Sequence, residues 1–346
     1  MSQRSVSVLG GGSFGTVVAN IVAENGYHVN FWMRNEALVN EVNTTHQNSQ
    51  YLPGYPINPN VLACHDMQLA VAESELVFVA VPSAFFRIVV RDMLQYVRPD
   101  VMLISLTKGI EAGTFMLMSQ VLRQEAPRAR VGVLSGPNLA REIAAKNLTG
   151  TVIASEHASV REMVQRVLRS EYFRVYTNDD MFGVELGGSL KNIYAIIAGL
   201  AAAMGMGHNT TAMLITRSLT EMARFGRELK ADPMTFLGLA GVGDLVVTCS
   251  SPLSRNYRVG YALGQGKSLE EAVAEVGQTA EGVNTVKQVK EKADELGVYM
   301  PLASGIYDII YNRKSVSSII SSLMLGEQAL DVEYEANRMK RLNPRE

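Results

Sequence analysis

The chain has 346 residues, of which 47% are hydrophobic and 19% charged, and its formal net charge is −2. That length suits about two domains with a sizeable core. The charge balance excludes a nucleic-acid footprint and a disordered composition, which leaves a small molecule or a second copy of the chain as partner.

Cys64 and Cys249 are the only cysteines. They lie far apart without metal-ligand spacing, which fits a reducing, cytoplasmic setting. The five histidines form no triad or metal pattern, so no metal is expected. The N-terminus runs into a strand pattern rather than a signal peptide. The longest polar-free run, Ile193 to Gly207, is too short and too rich in Gly and Ala for a membrane span.

Val6 to Leu9 reads as a buried strand and is followed at once by Gly10-Gly11-Gly12-Ser13-Phe14-Gly15 and a helical run to Asn25. This is GxGxxG between a strand and a helix. Gly10 permits the turn, Gly12 lets backbone approach a pyrophosphate, and Gly15 lets the helix pack on the strand. A second strand, His28 to Met33, ends at Arg34, where dinucleotide folds usually carry an acidic residue for the adenine ribose. A cation there attracts a 2′-phosphate, so NADP(H) is expected to bind at least as well as NAD(H). From Thr44 to Asn60 the chain reads as a polar, proline-punctuated surface excursion without an assigned function.

Leu76 to Val81 and Val101 to Ser105 read as parallel-sheet strands, and the second leads into Thr107-Lys108-Gly109. Lys108 thus sits at a carboxyl strand end, where ligands bind in open sheets. Strand Arg130 to Leu134 leads into Ser135-Gly136-Pro137-Asn138, and strands Thr151 to Ala154 and Phe173 to Tyr176 complete the alternation. The pattern predicts an α/β fold: a Rossmann-type doubly wound domain over residues 1–180, then an all-α domain over 181–346.

The second domain opens with Leu186-Gly187-Gly188-Ser189-Leu190-Lys191-Asn192, a lone lysine inside an apolar, small-residue helix. Burial lowers an amine's pKa, so Lys191 is the first candidate for general acid or base; a lysine that snorkels to solvent is the plainer alternative. The segment Leu239 to Leu245 around Asp244 reads as a non-helical, glycine-rich patch. Ser254, Arg255 and Asn256 then place a hydroxyl, a guanidinium fork and an amide together, which suits phosphate oxygens. Glu281 follows a polar break and either caps a helix or reaches a cofactor ribose.

These ordered pieces resemble the NAD(P)-dependent glycerol-3-phosphate dehydrogenases in their bacterial biosynthetic form, along nearly the whole chain. The resemblance implies reduction of dihydroxyacetone phosphate to sn-glycerol 3-phosphate, feeding glycerophospholipid synthesis, by a cytoplasmic homodimer. It implies Lys191 as the proton donor, Lys108 between nicotinamide and substrate, and Asp244 orienting both lysines. Gly136, Asn138, Ser254, Arg255 and Asn256 fall at substrate positions, while Gly10, Gly12, Ser13, Phe14, Gly15, Arg34, Lys108, Ala140, Arg255, Thr279 and Glu281 fall at cofactor positions. Two positions depart from the pattern: the bacterial form has Thr or Ser where this chain has Asn138, whose amide would act as donor, and more often an apolar residue where it has Thr279. Rival readings are a sister hydroxyacid or 6-phosphogluconate dehydrogenase and a silent NADP-binding sensor. The first places an asparagine four residues after its lysine, where this chain has Ala195. The second has no need of Lys108, Lys191 and Asp244 together.

Overall fold

Strand segments that are apolar on every side chain can only be covered on both faces, and Leu76, Val77, Phe78 and Val79 are all fully buried. They lie at the centre of one eight-stranded sheet in a computed structural model that describes residues 5–277 and 279–326. Residues 327–346, expected to end the second domain, lie outside the described residues. The strands are β1 (Ser5–Leu9), β2 (His28–Trp32), β3 (Val61–Cys64), β4 (Ser74–Val79), β5 (Met102–Ser105), β6 (Arg130–Ser135), β7 (Thr149–Ala154) and β8 (Phe173–Asn178), in the order β3-β2-β1-β4-β5-β6-β7-β8. Neighbours are parallel except β6 and β7, which pair antiparallel through Val133–Ala154 and Ser135–Val152. The helices among them are α1 (Ser13–Glu24), α2 (Glu36–Thr45), α3 (Met67–Val71), α4 (Ser83–Met93), α5 (Met118–Glu125), α6 (Ala140–Ala144) and α7 (Ala158–Leu168).

The doubly wound expectation holds, with three additions. Strand β3 and helices α2 and α3 fall in stretches that carry no strong apolar period, and β7 runs against the sheet after the short α6.

The remaining described chain is helical: α8 (Met181–Ala203), α9 (His208–Glu228), a 3₁₀ turn over Pro233–Leu237, a π turn over Leu239–Gly243, α10 (Asp244–Ser250), α11 (Arg255–Gly264), α12 (Leu269–Val276), α13 (Glu281–Leu296), α14 (Pro301–Tyr311) and α15 (Val316–Met324). The expected non-helical patch at Leu239–Leu245 is therefore a π turn that runs straight into α10. Its glycines loosen the ladder into a wide turn rather than ending it, and such turns are frequent at functional sites. Helix α11 was also missed, because Ser254 opens it as an N-cap and the apolar period behind it is short.

Helix α8 is the axis of this part. By length and composition it could cross a membrane, but 83% of its most apolar window is buried inside the protein. Its small residues allow backbone contact with α11: a Cβ on Gly199 would lie 1.9 Å from the Tyr257 carbonyl oxygen. Ile110 and Leu117, from the segment after β5, are buried in the same apolar cluster as Leu186, Leu190 and Ile193 of α8. The loop that carries Lys108 is thus packed into the helical core.

Candidate active site

The turn from β1 into α1 is built for close approach. Gly10 has φ +116°, and a Cβ on Gly15 would lie 2.1 Å from the Gly10 carbonyl oxygen. Around Gly12 there is nothing within 4 Å of a would-be Cβ, and as N-cap of α1 it supplies no side-chain cap. Uncapped N–H groups of a helix start beside open space suit a pyrophosphate, so the cradle fits a nicotinamide dinucleotide. Ser13 donates through Oγ to the Tyr51 carbonyl at 2.7 Å, and Phe14 packs half-buried against the sheet core.

The polar excursion after α2 proves to be the buttress of this turn. Buried Asn48 donates from Nδ2 to the Gly11 carbonyl and to Thr16 Oγ1, both at 2.9 Å. Arg34, exposed beyond the end of β2, has its guanidinium 5.7 Å from the ring centroid of Phe85. Ala140 is the first residue of α6, and Leu139 rather than Asn138 holds the N-cap position.

Two lysines from separate segments meet at one carboxylate. Asp244 is fully buried as the first residue of α10, a position where the helix dipole favours negative charge. Its Oδ2 accepts from Lys108 Nζ at 2.6 Å, and its Oδ1 accepts from Lys191 Nζ. Lys108 Nζ also donates to the Gly136 carbonyl at 2.8 Å, and Lys191 Nζ to Thr248 Oγ1 at 2.6 Å. An ammonium has three N–H groups. Each lysine spends two on these partners and keeps one for a ligand.

Lys191 lies in the middle of α8 with 7% exposure, so the solvent-snorkelling alternative does not apply. Burial pushes its amine down to about 8; Asp244 works against that shift and the Lys108 charge adds to it. Thr248 escaped the sequence reading. Only its place one turn after Asp244 could have signalled it.

The other expected contacts divide. Asn138 donates from Nδ2 to Thr151 Oγ1 at 2.9 Å, and Thr151 passes its own proton to the Ser135 carbonyl. One of the two amide N–H groups is spent there, and its buried Oδ1, an acceptor, stays unpartnered. Ser254 Oγ accepts from the Tyr257 N–H as the N-cap of α11, which leaves its hydroxyl hydrogen available. Asn256 is buried and braces other residues: Nδ2 donates to Asn192 Oδ1 at 2.9 Å, and Oδ1 accepts from the Gly282 N–H at 3.0 Å. Arg255 is exposed and donates from Nη1 to the Thr279 carbonyl at 3.0 Å. Glu281 neither caps its own helix nor stands free: its carboxylate accepts from the Ser83 N–H at 2.9 Å and the Ser83 hydroxyl at 2.5 Å. It ties the start of α13 to the start of α4.

Comparison with known proteins gives the family. Residues 5–161 match the family described as NAD-dependent glycerol-3-phosphate dehydrogenase N-terminus, and residues 180–321 the one described as NAD-dependent glycerol-3-phosphate dehydrogenase C-terminus. A glycerol-3-phosphate dehydrogenase (NAD(P)+) of Saccharophagus degradans is 55% identical over 96% of this chain and 93% of its own length. One of Pseudomonas aeruginosa is 55% identical over 96% and 97%. Among solved structures, glycerol-3-phosphate dehydrogenase from Coxiella burnetii superposes with a TM-score of 0.90 at 35% identity, covering 94% of this chain and 99% of that one.

Proposed function

The chain belongs to the NAD(P)-dependent glycerol-3-phosphate dehydrogenases, and we propose how its residues carry the reaction, the interconversion of dihydroxyacetone phosphate and sn-glycerol 3-phosphate. Lys191 is the general acid that protonates the ketone oxygen and, in reverse, the base that takes the hydroxyl proton. The observation that carries this reading is a buried amine, pushed down to about 8, which shares the Asp244 carboxylate with Lys108 and keeps one N–H free. An amine in that range is populated in both protonation states near neutrality, as proton transfer in both directions requires. Lys108 points its remaining N–H at the same oxygen and polarises the carbonyl. Asp244 holds both amines in place and balances one of their charges.

Reduced nicotinamide, when bound, supplies the hydride. Gly10, Gly12, Ser13, Phe14 and Gly15 hold its pyrophosphate side, Arg34 the adenosine end, and Ala140, Thr279 and Glu281 the remaining contacts. Arg255, with Ser254 and Asn256, takes the substrate phosphate through charge-assisted bonds. Gly136 and the free Oδ1 of Asn138 face the substrate's hydroxyls. The reading assigns residues 1–180 to the dinucleotide side and 181–346 to the substrate side, in a cytoplasmic homodimer. Sedimentation as a monomer at micromolar concentration refutes the dimer.

The deciding experiment follows NADPH absorbance on adding dihydroxyacetone phosphate, with unphosphorylated dihydroxyacetone as comparison. Lys191→Ala lowers turnover by about 10²–10⁴-fold with cofactor binding intact. Normal turnover in that variant removes Lys191 from the chemistry. Equal turnover of the unphosphorylated ketone removes Arg255 from substrate recognition.

A further inference from the structure

Lys108 and Lys191 arrive from different layers, one at the end of a sheet strand and one within a helix. Their mutual placement needs a common support. Besides Lys191, helix α8 carries three buried polar side chains, Glu185, Ser189 and Asn192, spaced four and then three residues apart and hence on one side of the helix. All three meet the stretch 108–119. Asn192 Nδ2 donates to the Lys108 carbonyl at 3.2 Å, and the Glu185 carboxylate accepts from the Ser119 N–H at 3.0 Å and from the Ser119 hydroxyl. Ser189 packs between them: its Oγ lies 3.4 Å from the Gly109 carbonyl oxygen and gives its hydrogen to the nearer Glu185 carbonyl of its own helix at 3.1 Å.

Between those anchor points the loop folds on itself. Ile110 and Leu117 form an antiparallel bridge, and the Glu111 N–H donates to the Met116 carbonyl at 2.8 Å. At its tip Phe115 takes a left-handed conformation, φ 59°, which costs a non-glycine residue on the order of 1 kcal/mol. Its ring meets Phe225 of α9 edge-to-face at 6.0 Å. Neither the strain at Phe115 nor the burial of a carboxylate at Glu185 is favourable alone, and both serve to hold this loop on the helix.

We infer that Glu185 and Asn192 are positioning residues that anchor the loop 108–119 to α8 and so set the Lys108 amine against the Lys191 amine. Asp244 then bridges two groups that already share one frame, and dinucleotide binding leaves their separation unchanged. The inference rests on the proposed reading of the two lysines as the working amines.

Its consequence is readable in the pH profile. Lys191 is faced by Asp244, Lys108 and Cys249, and the Lys108 charge is one of the influences that lower its pKa. A loosened loop lets Lys108 drift, so the Lys191 pKa rises and the basic limb of kcat for ketone reduction moves to higher pH.

The test uses Glu185→Gln in the full chain. A misplacement of about 1 Å costs roughly 10²-fold in kcat, and the expected result is a loss of that order, a basic limb raised by about one unit, and an unchanged Kd for NADPH by fluorescence. Ser119→Ala, which keeps the backbone bond to Glu185, gives a smaller change in the same direction, and Ser119→Thr restores the wild-type profile. A Glu185→Gln protein with lowered thermal midpoint but wild-type kcat and basic limb overturns the inference and leaves the anchor a purely structural feature. Where Glu185→Gln does not fold, Ser119→Ala decides by the same readouts. A dead Lys191→Ala beside a normal Glu185→Gln sinks the anchor alone, whereas an active Lys191→Ala sinks the reading of the lysines.

Discussion

Thr248→Val isolates one contact of the proposed acid. The Thr248 hydroxyl gives its hydrogen to the Asp244 carbonyl at 2.6 Å, so toward Lys191 it can only accept, also at 2.6 Å. Hydrogen bonds to charged groups contribute about 1.5–3 kcal/mol and neutral ones about 0.5–1.5 kcal/mol. Losing the acceptor thus disfavours the ammonium over the amine by about 1–1.5 kcal/mol, close to one pKa unit at about 1.36 kcal/mol each. The Lys191 pKa, pushed down to about 8 in the native protein, falls further, and the basic limb for ketone reduction moves down by about one unit. The assay is kcat against pH with saturating NADPH and dihydroxyacetone phosphate. The variant is close to wild type on the acid side and about tenfold slower at about pH 9, and Thr248→Ser recovers the profile. A limb that stays put, or moves up, refutes the assignment of the acid to Lys191. The direction is opposite to that expected for loosening the Lys108 loop, so the two perturbations of one amine cannot be mistaken for each other.

Two further outcomes follow from groups away from the reacting centre. Arg34 is exposed and stacks on Phe85, which leaves its N–H groups for a 2′-phosphate; Arg34→Gln raises the Kd for NADPH about tenfold or more and leaves that for NADH in place, and parallel changes in both refute a 2′-phosphate contact. Glu221 is buried on α9, accepts from the Leu302 and Ala303 N–H groups at 2.6 and 3.2 Å, and is pushed up to about 7 by burial. Its native pKa lies above the ordinary carboxyl value of 4.5, so between those two values the native state holds a proton that the unfolded chain has lost. Its contribution to stability therefore declines as pH rises through that window, and Glu221→Gln flattens the thermal midpoint against pH there. An unchanged slope in calorimetry counts against the assignment.

What the sequence made legible was whatever depends on residue type within one segment. The cradle at Gly10 to Gly15 is local: a turn with no room for a Cβ at Gly10 and Gly15 can be read from glycines between a strand and a helix. Lys191 is local in the same sense, since a charge among Leu190, Ile193, Ile196 and Ile197 declares its own burial. Polarity between segments was not legible. Asn138 reads as a donor from its chemistry, yet the Thr151 hydroxyl thirteen residues on takes one of its N–H groups and its oxygen is left unpartnered. Glu281 reads as a helix cap or a cofactor-ribose contact, and what its sequence window does not show is that Ser83, from across the chain, donates to both its oxygens. Asn48 lies in a stretch that looks like surface and supports the glycine turn from behind.

The same division explains why α8 was read for the lysine and not for its neighbours. Glu185, Ser189 and Asn192 form an unremarkable polar set in a sequence window. They become a row only when a helix aligns them and a partner backbone lies alongside. A buried carboxylate, hydroxyl and amide each need a partner inside the protein; the Ser189 hydroxyl finds it within α8, and the carboxylate and the amide find it on one loop. The helix that carries the proposed acid therefore also holds the backbone that carries the second amine, and the two roles are interleaved along Glu185 to Asn192 on one element. A substitution that keeps Lys191 and spoils that row would leave the acid in place and its partner misplaced, which is the distinction the pH limb resolves.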